Sequence, residues 1–103
     1  MVNTATWCGV CRSNGARVEE EILSKYMKDE HYQIVVNNLS DEATIKESNK
    51  TLEEAGILDF ANNNNGTGLI YILNANSKEM ISKISVSKST EKIEIALNEA
   101  IIS

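Results

Sequence analysis

Short apolar runs and longer amphipathic segments alternate along the chain, and clusters of Asn, Ser and Gly separate them. Adjacent apolar or β-branched residues predict strands, whereas apolar residues three or four positions apart predict helices. The order of these segments predicts a β-α-β-α-β-β-α arrangement. Two parallel βα units followed by an antiparallel hairpin and a helix give an α/β fold, in which a mixed central sheet carries helices on both faces.

The first half of the chain is predicted to contain two strands, each followed by a helix. Residues 2–5 predict a short first strand, and the segment from Cys8 to Asp29 predicts a helix. We expect a kink in that helix near Gly15, because glycine is unfavourable inside a regular helix. Tyr32 to Val36 predicts a buried strand. The next helix is expected to span Ser40 to Gly56, with Ser40 as its N-cap and Gly56 just past its end.

The second half is predicted to be a loop, a hairpin and a closing helix. Residues 57–66 include four successive Asn, which favour turns, so we expect a flexible loop there. Residues 69–73 and 79–86 predict two antiparallel strands. A closing helix capped by Ser87 or Ser89 follows. Its apolar face is predicted to consist of Ile93, Ala96, Leu97, Ala100 and Ile101.

Length and charge limit the possible functions. With 103 residues, of which 42% are hydrophobic, the chain is expected to form a single domain, 1–103. No apolar stretch approaches the roughly 18 to 20 residues of a membrane span. The formal net charge is −5 with no basic stripe, which excludes nucleic acid as an expected partner. We expect a monomer. The absence of a signal peptide favours the cytoplasm, although a trimmed exported domain would have the same sequence.

The two cysteines form one closely spaced pair. Cys8 falls at the start of the predicted first helix and Cys11 one turn later, so both sulfurs should lie on the same side, where a disulfide can close. Free backbone N–H groups and the helix dipole stabilise a thiolate at Cys8, and Arg12 adds a nearby cation. We therefore predict that Cys8 attacks a substrate disulfide, and that the more shielded Cys11 resolves the mixed disulfide.

Neighbouring residues are assigned to substrate binding. Trp7 can present an apolar wall, Gly9 lets another chain approach closely, and Val10 adds no charge. Three alternatives remain open: Trp7 in the core, two inert buried cysteines, or a Cys-x-x-Cys half-site shared between two chains around zinc. The chain has no second Cys or His pair, so we expect no metal site within it and no cofactor. His31, the only histidine, is assigned no role.

The segment from Ala5 to Arg12, Ala-Thr-Trp-Cys-Gly-Val-Cys-Arg, resembles the active-site segment of the thioredoxin family. The resemblance implies a thioredoxin-like fold and a thiol–disulfide oxidoreductase, with Cys8 as the nucleophile, Cys11 as the resolving cysteine and Trp7 on the docking surface. The implied partners are protein disulfide or dithiol substrates and a partner that recycles the redox pair. Whether such a protein reduces or oxidises its substrates depends on its reduction potential.

Several positions depart from the family pattern. The family usually places a cis-proline before the strand that faces the dithiol, but this chain has no proline, and Thr67 falls at that place. We expect a trans peptide before Thr67 and a substrate groove that differs from the family's, to which Gly66 and Thr67 are assigned. An alternative role for Thr67 is to offer its hydroxyl to the sulfurs. Val2 occupies the place of the family's buried acid. These departures leave two other functions open: a protein-binding module with weak redox activity, and metal or cluster binding between two copies of the motif.

Overall fold

Four strands form one mixed sheet in the computed structural model, which describes residues 1–29 and 31–102. The strand order is β2-β1-β3-β4, in which β1 is parallel to β2 and antiparallel to β3, and β4 is antiparallel to β3. The predicted mixed sheet is therefore confirmed. The strands are β1 Val2–Thr4, β2 Val36–Asn38, β3 Leu69–Leu73 and β4 Met80–Ser85.

Helices cover both faces of the sheet, as predicted. Side chains of α1, α2 and α5 pack with Val2, Ile70 and Ile72 on one face, whereas α3 and α4 pack with Val35 and Tyr71 on the other. The opposite directions of Tyr71 and its two neighbours follow from the two-residue period of a strand. The helices are α1 Gly9–Val18, α2 Ser24–Tyr26, α3 Glu42–Ala55, α4 Leu58–Asn63 and α5 Thr90–Ile102.

The predicted kink near Gly15 is wrong, because the irregularity comes later. Helix α1 is regular through Gly15, and Glu19–Leu23 forms a π-helical turn that connects α1 to α2. Val18 before this turn, Ile22 within it and Tyr26 after it are all buried. In a regular α-helix, side chains four residues apart differ in direction by about 40° around the helix axis. A π-helical turn has more residues per turn and rotates the following side chains in the opposite sense, which offsets this difference. The π turn therefore keeps these three side chains in the core.

The second strand lies later than predicted. The structure has β2 at Val36–Asn38, whereas the apolar run predicted residues 32–36. The difference is due to Asn37, which is almost fully buried and whose amide donates to Asn3 Oδ1 at 3.1 Å. A buried Asn in a strand needs such a partner, and the partner is distant in the sequence. The apolar pattern alone therefore predicts a strand that ends before Asn37, whereas the strand continues through Asn38.

Helix α3 ends at Gly56 as predicted, but its N-cap is Asp41 and not Ser40. The Asp41 carboxylate accepts from the Thr44 amide at 2.9 Å, and the Thr44 hydroxyl accepts from the Asp41 amide at 3.0 Å. This reciprocal pair satisfies two backbone donors at the helix start. Ser40 instead accepts a hydrogen bond from the Thr6 amide at 2.8 Å. Ser40 thus fastens the turn that leads into the cysteine segment.

The predicted flexible loop contains helix α4. Ala61 is buried, and the Phe60 ring meets the Tyr71 ring edge-on at 5.6 Å. The Asn63 and Asn64 side-chain amides donate to backbone carbonyls four residues earlier, so Asn63 completes α4 and Asn64 caps its end. Apolar contacts with the sheet thus outweigh the turn preference of the Asn tract, and only the residues after 63 form a loop.

The hairpin and the closing helix are confirmed. Strand β3 has the predicted bounds, β4 is one residue shorter at each end, and Ser89 precedes α5 and accepts from the Lys92 amide at 3.3 Å. Ile93 is fully buried in the core, and Ala96, Leu97 and Ala100 pack against it. The side chain of Ile101 lies outside those that the structure describes. Among the described residues, no helix is long and apolar enough to cross a membrane.

Candidate functional site

The two cysteines lie where the chain leaves the central strand β1 and enters α1. Cys8 is the N-cap of α1 with extended backbone angles, and Cys11 lies in its first turn. Their sulfurs are in disulfide contact, and their Cα atoms are 5.2 Å apart. The Cys8 amide donates to the Ala5 carbonyl at 3.1 Å, and the Cys8 carbonyl accepts from the Arg12 amide at 3.0 Å. These bonds fix Cys8 at the helix start and bring both sulfurs to one side, as the sequence predicted.

The two sulfurs have different hydrogen-bonding neighbours. The Cys8 sulfur accepts from the Cys11 backbone amide at 3.3 Å, whereas the Cys11 sulfur lies 4.0 Å from the carbonyl oxygen of Asn3. An N–H donor stabilises negative charge, and a carbonyl oxygen is a partner for a protonated thiol. After reduction, this arrangement favours a thiolate at Cys8 and a thiol at Cys11. The asymmetry agrees with the roles predicted from the sequence.

Gly68 is the residue that faces the two sulfurs, and the sequence analysis missed it. Its φ is +75°, and a methyl group built on it would lie 3.6 Å from the Cys8 sulfur and 3.7 Å from the Cys11 sulfur. The same methyl group would overlap Cγ1 of Val10. Only glycine fits this position without strain. The sequence signal was present, since a glycine immediately before a strand indicates a close approach of backbone.

Thr67, the residue predicted at the family's cis-proline place, lies one position before Gly68. Its peptide bond is trans, as predicted, because the described residues contain no cis peptide. Among the described residues, the hydrogen-bond partners of the two sulfurs are the Cys11 amide and the Asn3 carbonyl, so the structure does not show the alternative contact with the Thr67 hydroxyl. Gly66 lies on the Tyr71 side of the loop, where an added methyl group would come 3.3 Å from the Tyr71 hydroxyl. The loop therefore presents Gly68 to the sulfurs.

The other predicted binding residues form the outer surface of the cysteine segment. Trp7 is 64% exposed, and its indole N–H donates to the Leu39 carbonyl at 3.2 Å. The alternative that Trp7 belongs to the core is therefore wrong. Gly9 is exposed, with open space where a side chain would begin, and Val10 is half-buried against the core. Cys8 and Cys11 are 6% and 8% exposed, so the prediction that Cys11 is more shielded than Cys8 is wrong for the disulfide form.

Asn3 is a second site residue that the sequence analysis missed. It is fully buried on β1, and its side-chain amide donates to the carbonyls of Asn64 at 2.8 Å and Gly66 at 3.0 Å. Its side-chain oxygen accepts from Asn37, and its backbone carbonyl accepts from the Gly68 amide at 2.9 Å. An Asn within an apolar strand was the available signal. Val2, at the place of the family's buried acid, packs in the apolar core.

The charged residues near the site have structural partners or face solvent. Arg17 donates to the carbonyls of Val86 at 2.8 Å and Lys88 at 2.9 Å, which ties α1 to the segment before α5. His31 hydrogen-bonds Asp29 through its backbone amide and its ring, and these bonds lower the pKa of the Asp29 carboxyl. This pair lies just after α2, so the structure gives His31 no part in the cysteine site.

Within residues 1–29 and 31–102, no group of three or more His, Cys, Asp or Glu side chains is placed to hold a metal ion. A metal ion bound by Cys8 and Cys11 would therefore need further ligands from other groups, such as a second molecule. In comparisons with known proteins, no family model, no curated protein and no solved structure matches the chain. The assignment of function therefore depends on the geometry of the site and on the resemblance of its motif.

Proposed function

We propose that this protein is a thioredoxin-like thiol–disulfide oxidoreductase in which Cys8 is the nucleophile and Cys11 the resolving cysteine. The observation that carries the proposal is the disulfide contact between two cysteines at the N-terminus of α1, where the Cys8 sulfur also accepts a backbone hydrogen bond. A helix start favours a thiolate, and the thiolate is the reactive form in disulfide exchange. The pair thus combines a stabilised nucleophile with a resolving partner in reach.

The sheet topology supports the thioredoxin-like part of the proposal. The motif follows a central strand, and the strand order is β2-β1-β3-β4 with one parallel and two antiparallel pairings. This is the arrangement expected of a βαβ unit joined to a ββα unit, and it agrees with a thioredoxin-like fold, which the sequence resemblance implies. The glycine that faces the sulfurs, Gly68, precedes β3, the strand before which the family places its proline.

The reaction would proceed by two exchanges. The Cys8 thiolate attacks one sulfur of a substrate disulfide, so a Cys8–substrate bond forms and the substrate S–S bond breaks, releasing one substrate thiolate that takes up a proton. Cys11 then loses its proton and attacks the Cys8 sulfur, which releases the second substrate thiolate. The substrate gains two electrons, and the protein ends with the Cys8–Cys11 disulfide. An external dithiol must then reduce the protein.

The surface beside Cys8 suits an extended protein substrate. Trp7 offers an exposed aromatic face, and Gly9 leaves open space in front of the helix start. Gly68, on the loop before β3, lies close to both sulfurs. We expect a substrate disulfide to meet the exposed surface that Trp7 and Gly9 form beside Cys8.

Reduction of insulin by dithiothreitol tests the proposed function. We expect the wild type to accelerate the reaction, and Cys8→Ser to fall to the rate of dithiothreitol alone, because the attacking sulfur is gone. Ser13→Ala, an exposed change on the same helix, should keep the wild-type rate. In a separate reaction without dithiothreitol, Cys11→Ser should accumulate a mixed disulfide with an insulin chain, since it cannot resolve it. Equal rates for the wild type and Cys8→Ser would refute the proposal.

The exposed Trp7 also allows a protein-binding module with weak redox activity, and mixed-disulfide trapping separates the two functions. A Cys11→Ser protein should retain a substrate covalently, and the protein lacking both cysteines should retain none. Equal capture by the two proteins, insensitive to a reducing agent, would favour the binding module.

A further inference from the structure

The loop that faces the disulfide is held by one buried side chain. Asn3 has no solvent exposure, and its amide donates both of its hydrogens to the loop before β3, to the carbonyls of Asn64 and Gly66. Asn37 donates to its oxygen at 3.1 Å, which fixes the direction in which the Asn3 amide points. A fully satisfied buried amide of this kind has one low-energy orientation. The loop is therefore tied to β1 from inside the protein.

The same residue also contacts the cysteine site through its backbone. The Asn3 carbonyl accepts from the Gly68 amide at 2.9 Å and lies 4.0 Å from the Cys11 sulfur. Residues 64, 66 and 68 are thus bonded to one residue of the central strand. Gly68 can lie close to both sulfurs only while the loop holds this path. Asn3 therefore contacts both the loop, through its side chain, and the Cys11 sulfur, through its backbone carbonyl.

We propose that Asn3 is a positioning residue of the redox site, which holds Gly68 against the cysteine pair and thereby keeps Cys11 covered. This inference rests on the redox roles proposed for Cys8 and Cys11. Gly68 lies as close to the Cys8 sulfur as to the Cys11 sulfur, but the Asn3 carbonyl contacts the Cys11 sulfur alone. A covered Cys11 meets few outside thiol reagents or disulfides, and it remains next to the Cys8 sulfur. It therefore attacks the mixed disulfide on Cys8 in preference to reacting with a second substrate. Loss of the two side-chain bonds releases the loop and exposes Cys11.

Labelling of Cys11 with 4,4′-dithiodipyridine tests the proposal in a Cys8→Ser background, where Cys11 is the single thiol. We expect Asn3→Ala to raise the labelling rate about tenfold, which corresponds to ~1.4 kcal/mol of easier opening. Asn64→Ala is the matched control, because it removes a side chain from the same loop and leaves intact the backbone carbonyl that Asn3 binds. The control should label at the rate of the Cys8→Ser parent.

Asn3→Asp adds a readout that a purely structural role would not give. A protonated Asp can donate one hydrogen bond to the loop, whereas an ionised Asp faces two carbonyl oxygens with no proton to share. We expect its labelling rate, divided by that of the parent at the same pH, to rise between about pH 5 and about pH 8 as the carboxyl ionises. This variant also decides the question if Asn3→Ala does not fold.

Three outcomes would overturn the inference: equal labelling of Asn3→Ala and the parent, a flat normalised rate for Asn3→Asp, or equal acceleration by Asn64→Ala. The labelling assay does not require oxidoreductase activity. An inactive wild type in the insulin assay would therefore refute the proposed function, whereas an active wild type with unchanged Cys11 labelling in Asn3→Ala would refute this inference alone.

Discussion

Gly68→Ala is expected to lower the free energy of unfolding by about 2 to 5 kcal/mol, with two separate causes. The φ of +75° is unfavourable for any residue with a Cβ atom, and this accounts for about 1 to 2 kcal/mol. The added methyl group also overlaps Val10, and overpacking of this kind costs about 1 to 3 kcal/mol. Urea unfolding followed by circular dichroism measures the difference from the wild type.

Two variants separate these causes. Gly56 has a similar φ of +77°, but a methyl group there meets only Lys78 Cε at 3.6 Å, an ordinary contact. Gly56→Ala should therefore show the backbone cost alone, about 1 to 2 kcal/mol. Val10→Ala removes the side chain that the added methyl group overlaps. Gly68→Ala should therefore lower the free energy of unfolding less in a Val10→Ala background than in the wild type. Equal costs for Gly68→Ala and Gly56→Ala would contradict the close packing of Gly68 on the cysteine site.

Ile93→Ala is expected to destabilise the protein by about 2 to 5 kcal/mol. Ile93 is fully buried in the core that joins α5 to the sheet, so its truncation removes apolar contacts and leaves a cavity. Ile95 lies on the same helix but is 48% exposed. Ile95→Ala therefore serves as the matched control, with an expected change within about 1 kcal/mol. Urea midpoints and slopes for the two variants give the comparison.

The comparison of Ile93→Ala with Ile95→Ala tests which face of α5 packs against the sheet. A small effect of Ile93→Ala, or an effect of Ile95→Ala of the same size, would mean that the helix presents another face to the core. The packing described for Ile70, Ile72 and Val86 would then be wrong as well, because these residues share the cluster of Ile93.

The predictions from the sequence are correct for elements in which the local apolar pattern matches the side chains that are buried in the fold. Strand β3 is an uninterrupted apolar run, and α5 repeats apolar residues at helical spacing, so local pattern and burial indicate the same structure. The mixed sheet with helices on both faces followed from the order of such segments. The motif at Cys8 was equally visible, because both cysteines and the helix start lie within a few residues of one another.

The errors share a physical cause, which is contact between residues distant in the sequence. The local pattern predicts that a strand ends before Asn37, because the buried partner of Asn37, Asn3, lies 34 positions away. The local pattern also predicts a loop at the Asn tract, because the contact of Phe60 with Tyr71 is not visible in the local sequence. Gly68 and Thr67 are adjacent, and only the three-dimensional path of the loop decides which one faces the sulfurs.

Redox titration tests whether Cys8 and Cys11 act together as one dithiol–disulfide pair. The protein is equilibrated with mixtures of reduced and oxidised glutathione, quenched with acid and alkylated, and its mass then counts the free thiols. We expect one transition from two free thiols to none, with the intramolecular Cys8–Cys11 disulfide as the oxidised form and little protein carrying one glutathione. Two free thiols in every mixture, or separate attachment of glutathione to Cys8 and Cys11, would contradict this expectation.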